Sequence, residues 1–240
     1  MKKILTELLK NKKNFVFVGE AGSGKSEIAI NFAINLAKLS DKPVHFFDVD
    51  QTKPLFRSRD VKEKLQAENV NFHYEEQFFD APTIVGGVRE HLADENVIVV
   101  IDVGGDHLGA RLIGGFAALL NREFTQNFFV INSYRPWSKD LVTIDGTMAR
   151  VLGMAHIDLA NVSIMSNPNV GLTTTAEEAV SGNQKVRELI DEYLCVDYMC
   201  AKEDICPEIQ DQIDIPLLPI KLYLTYEWNE SLSTNPLHHE

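Results

Sequence analysis

The sequence predicts an α/β domain built on a mostly parallel sheet with helices on both faces. Short apolar runs of β-favouring residues recur along the chain, at 15–18, 44–47, 97–101, 127–131 and 162–165. Longer stretches between them carry apolar residues at helical spacing, as in Ile28, Phe32, Leu36 and Leu39. Strands alternating with helices imply parallel pairing, because each return to the same edge of a sheet needs a crossover. The run Val97-Ile98-Val99-Val100-Ile101 is apolar throughout rather than alternating, as a central strand covered on both faces must be.

The elements follow in order. Ile4, Leu5, Leu8 and Leu9 predict a short amphipathic helix ahead of the first strand, Phe15 to Val18. The helix from Ile28 to Leu39 stops at Asp41-Lys42-Pro43, and Val44 to Phe47 forms a second strand, expected beside the first. Val61 to Asn69 is predicted as helix, Val70 to Tyr74 as strand, and Pro82 as the opening of a helix that runs to about Ala93. A small-residue helix is expected around Ala110 to Leu120, then a strand at 127–131, a helix from Ser138 to Leu152 and a strand at 162–165. Thr173-Thr174-Thr175 ahead of Ala176-Glu177-Glu178 has the composition of a helix N-cap, for a helix reaching Tyr193. Val196 to Cys200 is the last strand expected. Linkers, repeats and low-complexity tracts are missing, so one domain over 1–240 is predicted, its core at about 13–200 and a C-terminal extension at 201–240. The stretch from Leu217 onward, with Pro219 and Pro236, carries no assignable pattern.

Composition narrows the function. A net charge of −12 argues against general binding to nucleic acid or anionic membrane, since both rely on basic surface. No apolar run is long enough to span a bilayer, and the opening apolar stretch is broken by Glu7 and Lys10, unlike a signal peptide. Three cysteines are too few for a disulfide framework, and their spacing matches no zinc motif, so a reducing cytoplasm is the expected location. Cys195, Cys200 and Cys206 are read as buried thiols, with a metal site shared between subunits as the alternative.

The chemistry starts where the first strand ends. Gly19-Glu20-Ala21-Gly22-Ser23-Gly24-Lys25-Ser26-Glu27 fits G-x-x-x-x-G-K-[ST] between a strand and a helix, the context of a phosphate-binding P-loop. Glycines there let successive N–H groups point at phosphate oxygens, and the helix start adds its unpaired N–H groups and positive dipole end. Lys25 would reach the β- and γ-phosphates, and the Ser26 hydroxyl would ligate Mg²⁺. Asp102 follows the central apolar strand, the Walker B pattern, and Gly105 completes Asp-x-x-Gly, whose glycine N–H can sense a γ-phosphate. Asp48 and Asp50 end the second strand and face one way by alternation, towards the metal or an attacking water. Asn132 and Asn167 follow apolar strands at the same edge, where an amide reads an adenine edge or closes an Asx turn. Lys53, Arg57 and Arg59 are candidate phosphate clamps, set against the reading that a polar loop carries charge for solubility.

With these residues in hand, the chain resembles the MinD/ParA branch of the P-loop ATPases, the group with nitrogenase iron protein and metallocentre-maturation ATPases. The resemblance rests on the phosphate loop, on Asp48-x-Asp50 at the place of that family's switch I, and on Asp102-x-x-Gly105 at its switch II. It rests also on Asn132-Ser133-Tyr134-Arg135-Pro136 and Ser166-Asn167-Pro168, where members carry an Asn/Pro-rich loop and a base-contacting Asn. It implies that Asp50 positions the hydrolytic water, Asp48 supports Mg²⁺ and Asn167 contacts adenine. It implies also an ATP-dependent homodimer acting as a switch on a protein partner, with an accessory role for a metalloenzyme as one subtype. Glu20 departs from the pattern, standing where members have a signature lysine that crosses to the partner's nucleotide. A carboxylate cannot supply that cation, so such a dimer needs another, such as Arg57. Two alternatives stand beside the ATPase: a small-molecule kinase or ligase with an acceptor pocket at Arg135 and Trp137, and a non-catalytic nucleotide-binding regulatory subunit. ATP rather than GTP is expected, since no Asn-Lys-x-Asp follows a late strand.

Overall fold

The computed structural model describes residues 1–50, 61–74, 87–105 and 107–224. Lys53, Arg57, Arg59 and Pro82, and with them the expected phosphate clamps and helix start, lie outside the described residues. The strands are β1 (Asn14–Val18), β2 (Val44–Asp48), β3 (Val70–His73), β4 (Ile98–Asp102), β5 (Thr125–Ile131), β6 (Val162–Ser166), β7 (Val196–Lys202) and β8 (Leu217–Ile220). They form one sheet in the order β3-β2-β4-β1-β5-β6-β7-β8, and every described pairing is parallel.

The order corrects one expectation. β1 pairs with β4 and β5, so β2 is not its neighbour but lies one strand further out. All five residues of β4 are buried. A strand so uniformly apolar belongs where it has a strand on each edge and cover on each face, and it takes the slot between β1 and β2.

Alternation divides the core. Phe15 and Phe17 of β1 face helices α1 (Lys2–Leu8), α2 (Lys25–Leu39) and α3 (Lys62–Ala67), whose Leu5, Ile28, Phe32 and Leu65 are fully buried in the same cluster. Phe17, Phe32 and Phe128 meet there, with ring centroids 4.9 to 5.3 Å apart. Val16 and Val18 face the other way, towards α4 (Val88–Ala93), α5 (His107–Gly114), α7 (Leu141–Ala155) and α8 (Ala176–Ile190). The helix expected over 110–120 is broken into α5 and α6 (Ala117–Leu120). Gly114-Gly115 weakens it there, and α7 passes so close that a Cβ on Gly114 would stand 2.7 Å from the Met154 carbonyl oxygen. The capping residue of α8 is Thr175, whose hydroxyl accepts from the Glu178 N–H while the Glu178 carboxylate accepts from the Thr175 N–H.

Sequence pattern did not reveal β8, which pairs with β7 from Met199↔Leu217 to Lys202↔Ile220. Its prolines hid it: Pro219 lacks an N–H to donate, which only an edge strand tolerates, and β8 is the edge. The chain beyond β8 is tied to α2. Asn31 donates to the Lys221 carbonyl at 2.8 Å and accepts from the Lys221 N–H at 2.9 Å. One turn earlier the Glu27 carboxylate accepts from the N–H groups of Tyr223 and Leu224. Replacing Asn31 by Ala strips both bonds from the backbone of Lys221. It is expected to cost about 1–3 kcal/mol in urea unfolding and to speed proteolysis after Ile220. Unchanged stability and cleavage would show that the clamp is dispensable.

Candidate functional site

The loop between β1 and α2 has the backbone that its glycines permit. Gly19, Gly22 and Gly24 have φ of +137°, +75° and +93°. At Gly24 there is also no room for a side chain, since a Cβ would lie 2.1 Å from Asn167 Nδ2. The carbonyls of the loop are held from outside. Lys25 Nζ donates to the Glu20 oxygen at 2.9 Å, Arg135 Nε to Gly22 at 3.0 Å and Asn167 Nδ2 to Ser23 at 2.7 Å. Anchoring the Glu20 and Ser23 carbonyls turns the N–H groups of Ala21 and Gly24 the opposite way, which is how a loop of this kind presents donors to an anion. The Ser23 N–H instead closes the loop on the Glu20 carbonyl at 3.2 Å. The N-terminus of α2 carries no side-chain cap, and a helix start of this kind, with its positive dipole end, is suited to an anion.

Strand register brings the acidic residues to this loop. Asp102 lies opposite Phe17 on one side and Asp48 on the other, and paired residues of a parallel ladder face the same way. Phe17 packs on α2, so both carboxylates lie on the face that α2 covers, near the end where Lys25 and Ser26 begin the helix. Asp48 and Asp50 are 2 % exposed, and Asp102, Lys25 and Ser26 are equally enclosed. The Asp50 N–H donates to Asp48 Oδ1 at 3.0 Å, which folds the chain after β2 back onto the strand end. Contact requires glycine at Gly105 and leaves little room at Gly104. A Cβ on Gly104 would come 3.3 Å from Asp50 Oδ1, and one on Gly105 would come 2.7 Å from Ala21 N and Cα. The segment after Asp102 thus touches both Asp50 and the phosphate loop. Two buried carboxylates and a hydroxyl are hard oxygen donors, the chemistry that suits Mg²⁺.

The two asparagines part company. Asn132 donates to the Asn169 oxygen at 2.9 Å and the Gly22 oxygen at 3.4 Å, and its Oδ1 accepts from the N–H groups of Tyr134 at 3.1 Å and Asn169 at 3.3 Å. An amide with both donors and both lone pairs engaged is an Asx-turn brace, not a reader of a base edge. Asn167 lines a cavity of about 300 Å³ that opens beside the phosphate loop. Its floor is Gly22, Gly24 and Ser26, and its walls include Pro168, Leu172, Ile220 and Leu222. A largely apolar slot with a few polar groups is the ordinary form of a nucleobase pocket. Residues after β8 contribute to it through Leu222 and Leu224, a contribution that no local sequence pattern signals.

Glu20 has a partner that sequence spacing concealed. Its carboxylate accepts from the Arg150 guanidinium on α7, with the Glu20 side chain 12 % exposed and that of Arg150 50 % exposed. The hollow around Arg135 and Trp137 measures about 10 Å³, room for one water molecule rather than for a kinase's small-molecule acceptor. The cysteines are dispersed: Cys195 is exposed, and Cys200 and Cys206 are buried. Burial pushes the Cys200 thiol far up and the Cys206 thiol to about 11, so both stay protonated. Among the described residues they form no metal-binding group.

No protein-family model matches the sequence, and no curated protein matches it. Solved structures do. The signal recognition particle 54 kDa protein of Aeropyrum pernix K1, in complex with GDP, superposes with a TM-score of 0.50 at 18% identity, over 82% of this chain and 46% of that one. The chain has the P-loop nucleoside-triphosphatase fold. It spans less than half the length of that particle protein. The cell division protein FtsY of Thermotoga maritima gives a TM-score of 0.48 at 16% identity, over 85% of this chain and 70% of that one. FlhF complexed with GTP and Mg²⁺ gives 0.44 at 12% identity, over 77% of this chain and 69% of that one. Likeness this distant speaks for the fold, and the choice of nucleotide has to come from the residues of this chain. None of the helices of the described residues is long and apolar enough to cross a membrane.

Proposed function

We propose that this chain is a Mg²⁺-dependent ATPase switch that binds ATP at residues 19–27 and gates a protein partner through the segments after Asp50 and Asp102. The observation that carries the reading is the register pair Asp48↔Asp102, set on the face of the sheet covered by α2, whose first residues are Lys25 and Ser26. Lys25 would exchange its bond to the Glu20 carbonyl for oxygens of the β- and γ-phosphates. Ser26, Asp48 and Asp102 would hold Mg²⁺, which when bound spreads the charge building on those oxygens. Asp50 would orient water for in-line attack, and the N–H of Gly105 would report the γ-phosphate.

The cavity favours adenine. The carboxylate among its described lining residues is Glu27, which already accepts from Tyr223 and Leu224 and so is committed to the chain's own backbone. A carboxylate is the strongest acceptor for guanine's N1 and N2 donors, whereas the amide of Asn169 and an apolar wall suit adenine. For the homodimer, Arg150 replaces Arg57 as the cation to consider, because Glu20 holds it beside the second position of the loop.

The test is the mass of the protein in solution with no nucleotide, with ADP, and with a non-hydrolysable ATP analogue plus Mg²⁺. A dimer only with the analogue is expected, lost again in Arg150→Ala. One mass in all three conditions would overturn the dimeric switch.

A further inference from the structure

We propose that His45, His73 and His91 form a binding site for a zinc-class divalent cation at the β3 edge of the sheet, apart from the phosphate site. One ring nitrogen from each of the three lies within 4.8 Å of the others, and all three side chains are partly buried. His45 comes from β2, His73 from β3 and His91 from α4, so three separate elements converge. The register explains how. His73 lies opposite Phe47, so His45, two residues before Phe47, shares that face, and α4 lies across it with Val88 and Leu92 in the same core cluster. This is the face opposite the one bearing Asp48 and Asp102, so the two sites do not share a ligand.

The ring contacts fit a ligand set. His45 Nδ1 and His73 Nε2 stand 2.9 Å apart, a hydrogen-bond separation. Opening the pair to about 3.3 Å, the separation of two nitrogens on one tetrahedral zinc, would let a cation replace the shared proton. His91 Nδ1 is 2.7 Å from the Gly87 carbonyl oxygen. With Nδ1–H donating to that carbonyl, Nε2 keeps its lone pair and a fixed direction, the outer bond that metal-binding histidines make. The Phe47 ring stacks on His73 at 4.5 Å and meets His91 edge-on at 5.5 Å, which walls the group with apolar surface. Burial and the neighbouring histidines hold His45 down to about 4 and lower His73, so both rings are neutral and offer lone pairs at neutral pH. Imidazole nitrogens select zinc and its neighbours over Mg²⁺ or Ca²⁺, and three of them leave a fourth position open. Three stacked histidines filling a sheet edge would explain the ring contacts, and the convergence of one ring nitrogen from each of three elements is what adds a ligand set to them.

The test uses the full chain, stripped with a chelator and titrated with zinc against a chromogenic zinc indicator in the presence of excess Mg²⁺ and ATP. One zinc per chain is expected. His45→Ala, His73→Ala and His91→Ala should each weaken it at least roughly tenfold, while His238→Ala/His239→Ala leaves it intact. Cobalt in place of zinc should give the visible bands of a tetrahedral site, lost in the same variants. His91→Gln, which preserves side-chain bulk, and retained ATP binding in each variant separate loss of a ligand from loss of the fold. Equal zinc affinity in His91→Gln and the parent, or loss only in the His238/His239 variant, would overturn the site and leave the nucleotide assignment untouched.

Discussion

Replacing Lys25 by Ala is expected to abolish binding of ATP at micromolar concentrations while leaving the protein folded. Lys25 is 2 % exposed at the first position of α2, with its ammonium on the Glu20 carbonyl at 2.9 Å. That carbonyl also accepts from the Ser23 N–H at 3.2 Å, so the loop keeps a closing bond when the lysine is gone. What disappears is the cation that would face the triphosphate. Charge-assisted hydrogen bonds contribute about 1.5–3 kcal/mol each. Losing two of them weakens binding by roughly 10²–10⁴-fold. Fluorescence anisotropy of a ribose-labelled ATP, with circular dichroism as the check on folding, measures it. Parent-like affinity in Lys25→Ala would remove the assignment of residues 19–27 as the nucleotide site.

How much of this was legible in the sequence depends on the distance over which each feature is specified. The phosphate loop, the Thr175 cap and the alternation of strands and helices are local, written in neighbouring residues with a period or a spacing. They appear in the structure where the sequence put them. Strand order is not local. Nothing in Val44–Asp48 says that β4 will enter between it and β1, yet that insertion is what sets Asp48 against Asp102 rather than one strand away.

The same holds for the side chains that brace the site. Glu20 and Arg150 are 130 residues apart, and Glu27 and Tyr223 are 196 apart. No spacing rule connects such pairs. Glu20 alone suggested a missing cation, and only its contact shows that the position recruits one from α7. Asn132 illustrates the converse. Its place after an apolar strand fitted both a base contact and a turn, and the four bonds of its amide decide for the turn. The spacing of the histidines in sequence, 28 residues from His45 to His73, has no helical or hairpin meaning until β2 and β3 are paired.

The second large effect is expected at Asp50. Asp50→Asn should lower ATP turnover by roughly 10²–10⁴-fold, the usual contribution of a positioned proton acceptor, with ATP affinity changed only a few-fold. The substitution is isosteric. The backbone N–H of residue 50 still donates to Asp48 Oδ1, and the packing against Gly104 is unaltered. The charge is lost, and with it the basic oxygen that would take a proton from water, since an amide oxygen accepts a hydrogen bond but is not a base. Release of phosphate under single-turnover conditions measures the chemical step apart from product release. Equal rates in the parent and Asp50→Asn would assign the water to another residue, and Asp48→Asn would be the next variant. A parent that binds ATP and releases no phosphate would instead favour the regulatory subunit. Asp50 would then close the turn after β2 and nothing more, and the contact it makes with Gly104 would transmit occupancy of the loop rather than hydrolysis. Gly104 and Gly105 approach Asp50 and Ala21 in succession, so under either outcome the segment after Asp102 would be placed to sense what the phosphate loop holds.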